Sequence, residues 1–206
     1  MSKKETRIAR QAALRAKEER DRRLRLAAIG GAALIVVGGI VWFIVAQNRA
    51  PSAAPQPAAN VSATEMKVPD EGRGHVDSGV AVNYQHYPPS SGAHWGSPAA
   101  PVEWGFHAEA VPPEAWVHNL EHGGIVVLYH CPADCPDTVA ALRQLAGEVP
   151  ASKYGSAKIV VTSDGKITSK VIALAWDREL DLSDFDRARL MEFYKRWVDQ
   201  GPEDVP

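Results

Sequence analysis

The stretch VHNLEHGG, residues 117–124, places two histidines four positions apart with a glutamate beside the second. Imidazole is the commonest metal-binding side chain, and a carboxylate can bind the same ion or orient the imidazole. His118, Glu121 and His122 spell H-x-x-E-H, which is also the pattern of inverted zinc peptidases. Those enzymes need the motif inside a long helix, whereas the Gly-Gly pair ends any helix here at once. We therefore rank a metallohydrolase last and assign no catalytic residue.

A further histidine, His94, follows a glycine turn, and all seven histidines of the chain lie between His75 and His130. Three imidazoles and a carboxylate are a ligand set that suits zinc or copper. We therefore predict that these side chains converge in the folded domain around a metal ion. The predicted site comprises His94, His118, His122 and Glu121.

The same motif also fits a structural corner, in which the glutamate orients an imidazole by a hydrogen bond and no metal binds. The remaining histidines of the loop region, His75, His86 and His107, are interpreted as loop hydrogen-bonding residues. The sequence leaves the metal site and the structural corner open as alternatives.

Two cysteines, Cys131 and Cys135, lie where an apolar strand is expected to give way to a helix. They form either a disulfide or, together with His130, a second and softer metal site. Disulfides persist outside the cytoplasm, so the choice depends partly on the compartment.

The charge of the chain is divided unevenly along its length. Residues 1–25 hold ten Lys/Arg against four Asp/Glu, whereas the rest holds 13 against 21. Residues 26–46 carry no charge, and a helix of that length would rise about 30 Å, the thickness of the hydrocarbon core. This pattern predicts a cytoplasmic basic helix that contacts anionic lipid, then a single uncleaved transmembrane helix. The basic arm has no interleaved aromatic residues, which disfavours nucleic-acid binding.

The rest of the chain is expected outside the membrane, as a Pro/Ala-rich linker at residues 47–69 and a folded domain at residues 70–206. Long loops rich in His, Pro and Gly fill the first part of that domain, and residues 112–124 fit either a short helix or an extended segment. IVVLYH, AKIVVTS and KVIALAWD then read as strands. Two helices are predicted, CPDTVAALRQLAGEVP and LSDFDRARLMEFYKRWVDQG, the second capped by Ser183. The predicted fold class is α+β, a small mixed-sheet domain with two helices behind the basic and transmembrane helices.

Three stretches carry a resemblance to a known family: NYQHYPPSSGAHW, WVHNLEHGGIVVLY and VIALAWDRELDLSDFDRARLMEFYKRWVDQGPE. They resemble the bacterial and archaeal family called domain of unknown function 3105. Its pattern combines PPTSG-x-H, VHNLEHG before an apolar strand, and an A-W-x-R…FD…GPE tail, with Ser90 here in place of the usual threonine. The resemblance implies a membrane-tethered outer domain and no assigned activity.

A second, local resemblance lies in YHCPADCPDTVAAL, which is similar to the CPxxxCP segment of Sco-type copper chaperones. It implies two thiolates that hold copper, although the chain has no histidine after His130 to complete that site. The expected function is therefore a metal-binding extracytoplasmic protein of the cell membrane. The alternative is a non-catalytic structural or assembly module that binds another envelope protein.

Overall fold

The computed structural model describes residues 63–206, which form eight strands and three helices. The strands are β1 Ala63–Lys67, β2 Arg73–Val76, β3 Gly92–Trp95, β4 Gly105–Phe106, β5 Ile125–Tyr129, β6 Ile159–Ser163, β7 Val171–Ala175 and β8 Arg178–Leu182. The helices are α1 Pro113–Glu121, α2 Pro136–Glu148 and α3 Arg187–Trp197.

Six of these strands form one mixed sheet in the order β1-β8-β7-β5-β6-β4. Strands β4, β5 and β6 are parallel, and the β5–β6 connection runs through α2, since parallel neighbours need a long crossover. The other half of the sheet, from β5 through β7 and β8 to β1, is antiparallel. Strands β2 and β3 pair separately as a parallel two-stranded ribbon.

Strand β5 lies at the centre of the sheet, and all five of its residues are buried. Its side chains alternate between two cores, as the period of a strand requires. Ile125 and Val127 belong to the core under α2 and α3, whereas Val126 and Leu128 belong to the core under α1. Full burial of each such side chain contributes roughly 1.5–3 kcal/mol to the stability of the fold. Strand β5 is therefore a stable element, and it positions the residues that precede and follow it.

The predicted α+β domain with a mixed sheet is present, but the predicted number of two helices in that domain is wrong. The domain has three helices, because residues 113–121 form α1. Eight of its nine residues are buried and four of those eight are polar, so α1 lacks the pattern of a surface helix, in which apolar residues face the core and polar residues face solvent. Pro113 occupies its first turn, and Gly123, at φ 76°, lies just beyond its end.

The structure also does not support the transmembrane helix of the predicted fold class. Within residues 63–206, no helix is both long enough and apolar enough to cross a bilayer. The predicted basic helix at residues 1–25 and the predicted span at residues 26–46 lie outside the described residues, as does most of the predicted linker.

Two further boundaries differ from the sequence prediction. Ser183 does not cap the last helix, because β8 extends to Leu182 and the helix begins only at Arg187. Asp186 is its N-cap, and its carboxylate accepts a hydrogen bond from the main-chain N–H of Arg189 at 3.1 Å. Strand β1 falls within the segment predicted as linker, where it pairs antiparallel with β8.

Candidate metal centre

Two short strands and the end of one helix bring a group of imidazoles together. In the β2–β3 ribbon, His75 is the register partner of His94, so both rings lie on the same side of the ribbon. Helix α1 packs beside them and contributes His118 and its last residue, Glu121. The ring of His118 stacks on that of His75, with centroids 4.9 Å apart, and lies 5.0 Å from that of His94.

These four side chains form a compact ligand group, which we call the His/Glu cluster: His75, His94, His118 and Glu121. One possible ligand atom from each lies within 4.8 Å of the other three. The side chain of His94 is fully buried, and Glu121 and His118 are nearly so. The side chain of His75 is 53% exposed, so solvent reaches the cluster from the β2 side.

Main-chain carbonyls decide which ring nitrogens face into the cluster. The Nδ1 of His94 bonds to the carbonyl of Gly92 at 2.8 Å, and the Nδ1 of His118 to that of Trp95 at 2.7 Å. Because a carbonyl oxygen only accepts, both Nδ1 atoms must carry the proton. In the neutral rings, the Nε2 lone pairs are therefore the groups available to a metal ion.

The carboxylate of Glu121 meets two of these rings at its Oε2 atom. That oxygen lies 2.9 Å from Nε2 of His94 and 3.5 Å from Nε2 of His75. A lone pair and a carboxylate oxygen at 2.9 Å repel each other unless a positive charge lies between or beside them. A metal ion or a proton on His94 supplies that charge, so this group could hold a metal ion.

Burial favours the uncharged form of the two helix histidines. It is the largest cause that lowers the pKa of His118 below 6.5, and the nearby His94 and His75 act in the same direction. Burial likewise lowers the pKa of His122, helped by the charge of His118. Both imidazoles are thus mostly neutral at pH 7, which is the protonation state that binds a metal.

His122 caps the C-terminal end of α1 and lies next to the cluster rather than in it. Its Nε2 is 3.1 Å from Nε2 of His118 and 3.4 Å from Oε2 of Glu203. Since Nδ1 of a neutral His118 carries its ring proton, the Nε2–H of His122 must be the donor of the first contact. The structure therefore brings together His94, His118 and Glu121 of the predicted site and places His122 beside His118, while their role as ligands stays a prediction.

His75 is the residue that the sequence interpretation missed. The sequence interpretation assigns it to loop hydrogen bonding because it is a lone histidine in a loop-rich region, like His86 and His107. Its partnership with His94 arises from parallel pairing of two four-residue strands, which no local pattern announces. His86 and His107 do make the expected kind of contact, to the Glu179 carboxylate and the Glu103 carbonyl respectively.

The turn after α1 is locked in place by the C-terminal tail. A Cβ added to Gly201 would overlap the carbonyl of Glu121 and the backbone of Gly123. The N–H of Glu203 donates to the carbonyl of Glu121 at 3.0 Å, and the buried amine of Lys158 donates to that of His122 at 2.8 Å. The VHNLEHG and GPE stretches, far apart in sequence, are thus one packing unit.

The second predicted site lies at the opposite end of β5. Cys131 and Cys135 form a disulfide, with Cα atoms 5.9 Å apart, and His130 immediately precedes it. Of the two alternatives left by the sequence, the disulfide is confirmed. The thiolates that a soft metal site would need are engaged in the S–S bond.

Fold and site together define a small α+β domain with a buried His/Glu group at one end of its central strand. The chain matches the family model described as protein of unknown function (DUF3105) over residues 75–205, and it belongs to that family. The resemblance stated from the sequence is thereby confirmed, and the match includes every residue of the His/Glu cluster. No curated protein and no solved structure matches the chain.

Proposed function

We propose that this domain binds one divalent transition-metal ion, zinc or copper(II), through His75, His94, His118 and Glu121. The observation that carries the proposal is the orientation of the two buried rings. Both donate Nδ1–H to a main-chain carbonyl and direct Nε2 toward the cluster. This is the arrangement of metal-binding histidines, whose second nitrogen is usually fixed by a carbonyl or carboxylate.

The environment of Glu121 also supports a bound cation. Its carboxylate is almost fully buried, and within residues 63–206 its ion pairs are with His75 and His94 alone. A buried carboxylate needs a compensating charge, since leaving water costs several kcal/mol. The lowered pKa of His118 and His122 limits how much of that charge the helix histidines supply as imidazolium.

The donor set indicates which ions would bind. Three imidazole nitrogens and one carboxylate oxygen suit zinc and copper(II), whereas copper(I) prefers thiolate and thioether sulfur. The two cysteines of the chain are joined to each other at the other end of β5. We therefore expect a nitrogen- and oxygen-bound ion without sulfur ligands.

Metal binding would rearrange His122. An ion at Nε2 of His118 takes the lone pair that now accepts from His122. His122 then keeps Glu203, 3.4 Å away, as its acceptor. The C-terminal GPE tail would thus orient a histidine beside the ion, and we assign His122 a positioning role.

The test is a titration of the full-length protein after treatment with a chelator, with zinc and copper(II) in separate experiments. We expect one ion per chain by calorimetry and a rise in melting temperature with metal concentration, because an ion that binds only the folded state stabilises it. His118→Ala should weaken binding by at least about a hundredfold, more than loss of a supporting residue usually costs. His107→Ala, a histidine outside the cluster, is the matched control and should bind as the wild type does.

The second candidate function is a structural or assembly module. The tail contacts favour it, because the carbonyls of Glu121 and His122 are held by Glu203 and Lys158 without any metal. In that case His94 is an imidazolium paired with Glu121. Wild-type protein that binds neither ion more tightly than His118→Ala would establish this alternative and contradict the metal site.

A further inference from the structure

A pocket of about 600 Å³ opens at the C-terminal end of β5, remote in the fold from the His/Glu cluster. Both residues of the disulfide, Cys131 and Cys135, line it, together with His130, Lys170 and Ser169. The volume lies within the range of about 300–1,000 Å³ typical of sites for small molecules. This pocket plays no part in the proposed metal site.

The disulfide forms part of the pocket wall, and Cys131 also packs against the edge of the core under α2 and α3. Both cysteines are partly exposed, and the three residues between them, Pro132 to Asp134, are exposed. A bond that stabilises a fold from within is shielded from reagents, whereas this one borders a concavity large enough for a thiol compound. Access to the sulfur is one of the conditions for thiol–disulfide exchange.

We propose that this pocket is a site of thiol–disulfide exchange, whose substrate is a thiol-bearing peptide of about the size of glutathione. A substrate thiolate attacks Sγ of Cys131 and forms a mixed disulfide. The S–S bond breaks, and its electron pair leaves on Sγ of Cys135. A second substrate thiolate then attacks the substrate sulfur and releases Cys131, so two thiols are oxidised to one disulfide as the protein's disulfide is reduced to a dithiol.

Cys135 is assigned as the leaving sulfur because of its position. It is the N-cap of α2, and no side chain accepts a hydrogen bond there. The N–H groups of the first turn and the helix dipole stabilise a thiolate at this place, although Asp137 in the same turn opposes the effect. The sulfur with the more stable thiolate leaves faster, so attack at Cys131 is the favoured direction.

The test is the rate at which reduced glutathione opens the disulfide of the full-length protein, with glutathione reductase present to remove the oxidised product. Alkylation followed by mass spectrometry counts free thiols over time. We expect the rate of reduction in the native protein to lie within about tenfold of the rate in the chain unfolded in guanidinium chloride. If the pocket admits glutathione, access to the sulfur limits the reaction in neither state. Acid-quenched samples should carry glutathione on Cys131.

A substitution in the pocket tests whether the thiol reaches the disulfide through this pocket. Ala133→Trp, on an exposed lining residue, should slow the reaction about tenfold by blocking access. Ala151→Trp, also exposed but outside the pocket, is the matched control and should leave the rate unchanged. A native rate more than about tenfold below the unfolded one would overturn the proposal, as would equal rates in the two tryptophan variants. Glutathione found on Cys135 would overturn the assignment of the leaving sulfur.

Discussion

The two ends of strand β5 carry the two chemically distinctive groups of the domain, and they are built in opposite ways. At the N-terminal end, the His/Glu cluster is assembled from β2, β3 and α1, and most of it is buried. At the C-terminal end, two cysteines four positions apart form a disulfide that borders an open pocket. The ligand group of the first site depends on the fold of the domain, whereas the disulfide of the second is closed within one short loop.

This difference has consequences for both chemistry and stability. Burial keeps the helix imidazoles neutral and makes the Glu121 carboxylate depend on its neighbours for charge. Because the disulfide is partly exposed, a reagent can reach it, and the loop that it closes consists of exposed residues. Perturbing the packing around the cluster should therefore affect the whole domain, whereas perturbing the disulfide should remain a local event.

The largest effect is expected where the tail packs on the turn after α1. Gly201→Ala places a methyl group against the carbonyl of Glu121 and the backbone of Gly123, neither of which can move alone. We expect it to lower the free energy of unfolding by about 3 kcal/mol, measured by denaturant titration. Gly147→Ala is the matched control, since its added methyl meets nothing and favours helix by about 0.5–1 kcal/mol. Equal stability of the two variants would show that the tail does not support the cluster.

A smaller loss is expected at the other end of β5. The double variant Cys131→Ser/Cys135→Ser opens a short covalent loop, and loop-closure entropy assigns such a bond about 2 kcal/mol. Because the disulfide lies at the end of β5 opposite the cluster, the affinity for zinc should stay at the wild-type value. A parallel loss of zinc binding in this variant would contradict the independence of the two ends.

The smallest effect distinguishes ligands within the cluster. His75 is half-exposed and lies on a two-stranded ribbon, whereas His118 is buried in α1. Water can replace an exposed ligand more easily, so His75→Ala should weaken zinc binding by about tenfold, against at least about a hundredfold for His118→Ala. Calorimetric titration of both variants measures the ratio. A larger loss with His75→Ala would mean that the ribbon, not the helix, holds the ion.

The sequence identified the features that depend on local pattern. The strands β5, β6 and β7 were recognisable as apolar runs, and α2 and α3 as helices with apolar stripes, where Leu190, Phe193 and Tyr194 are indeed buried. The disulfide could be inferred because Cys131 and Cys135 are near neighbours. The motif H-x-x-E-H correctly placed two residues of the His/Glu cluster, His118 and Glu121, at the end of α1.

Most of the missed features depend on tertiary contacts. Helix α1 was ambiguous because eight of its nine residues are buried. Strand β8 is the exception, since the charged and apolar residues of RELDL alternate as they do in a half-buried strand, and this local signal was overlooked beside the predicted helix. The β2–β3 ribbon consists of only four residue pairs, and the two members of each pair are far apart in the sequence, so no local pattern predicts it. His75 could be joined to the cluster only once that pairing was known.

X-ray absorption spectroscopy at the zinc edge of the zinc-loaded full-length protein tests the central claim most directly. The account predicts a first shell of nitrogen and oxygen at about 2.0–2.1 Å, with the multiple scattering of imidazole rings and no sulfur at about 2.3 Å. His118→Ala should lose that imidazole contribution in part or fail to retain zinc. A sulfur shell, or a hydrated ion without imidazole scattering, would contradict a metal centre built from His75, His94, His118 and Glu121.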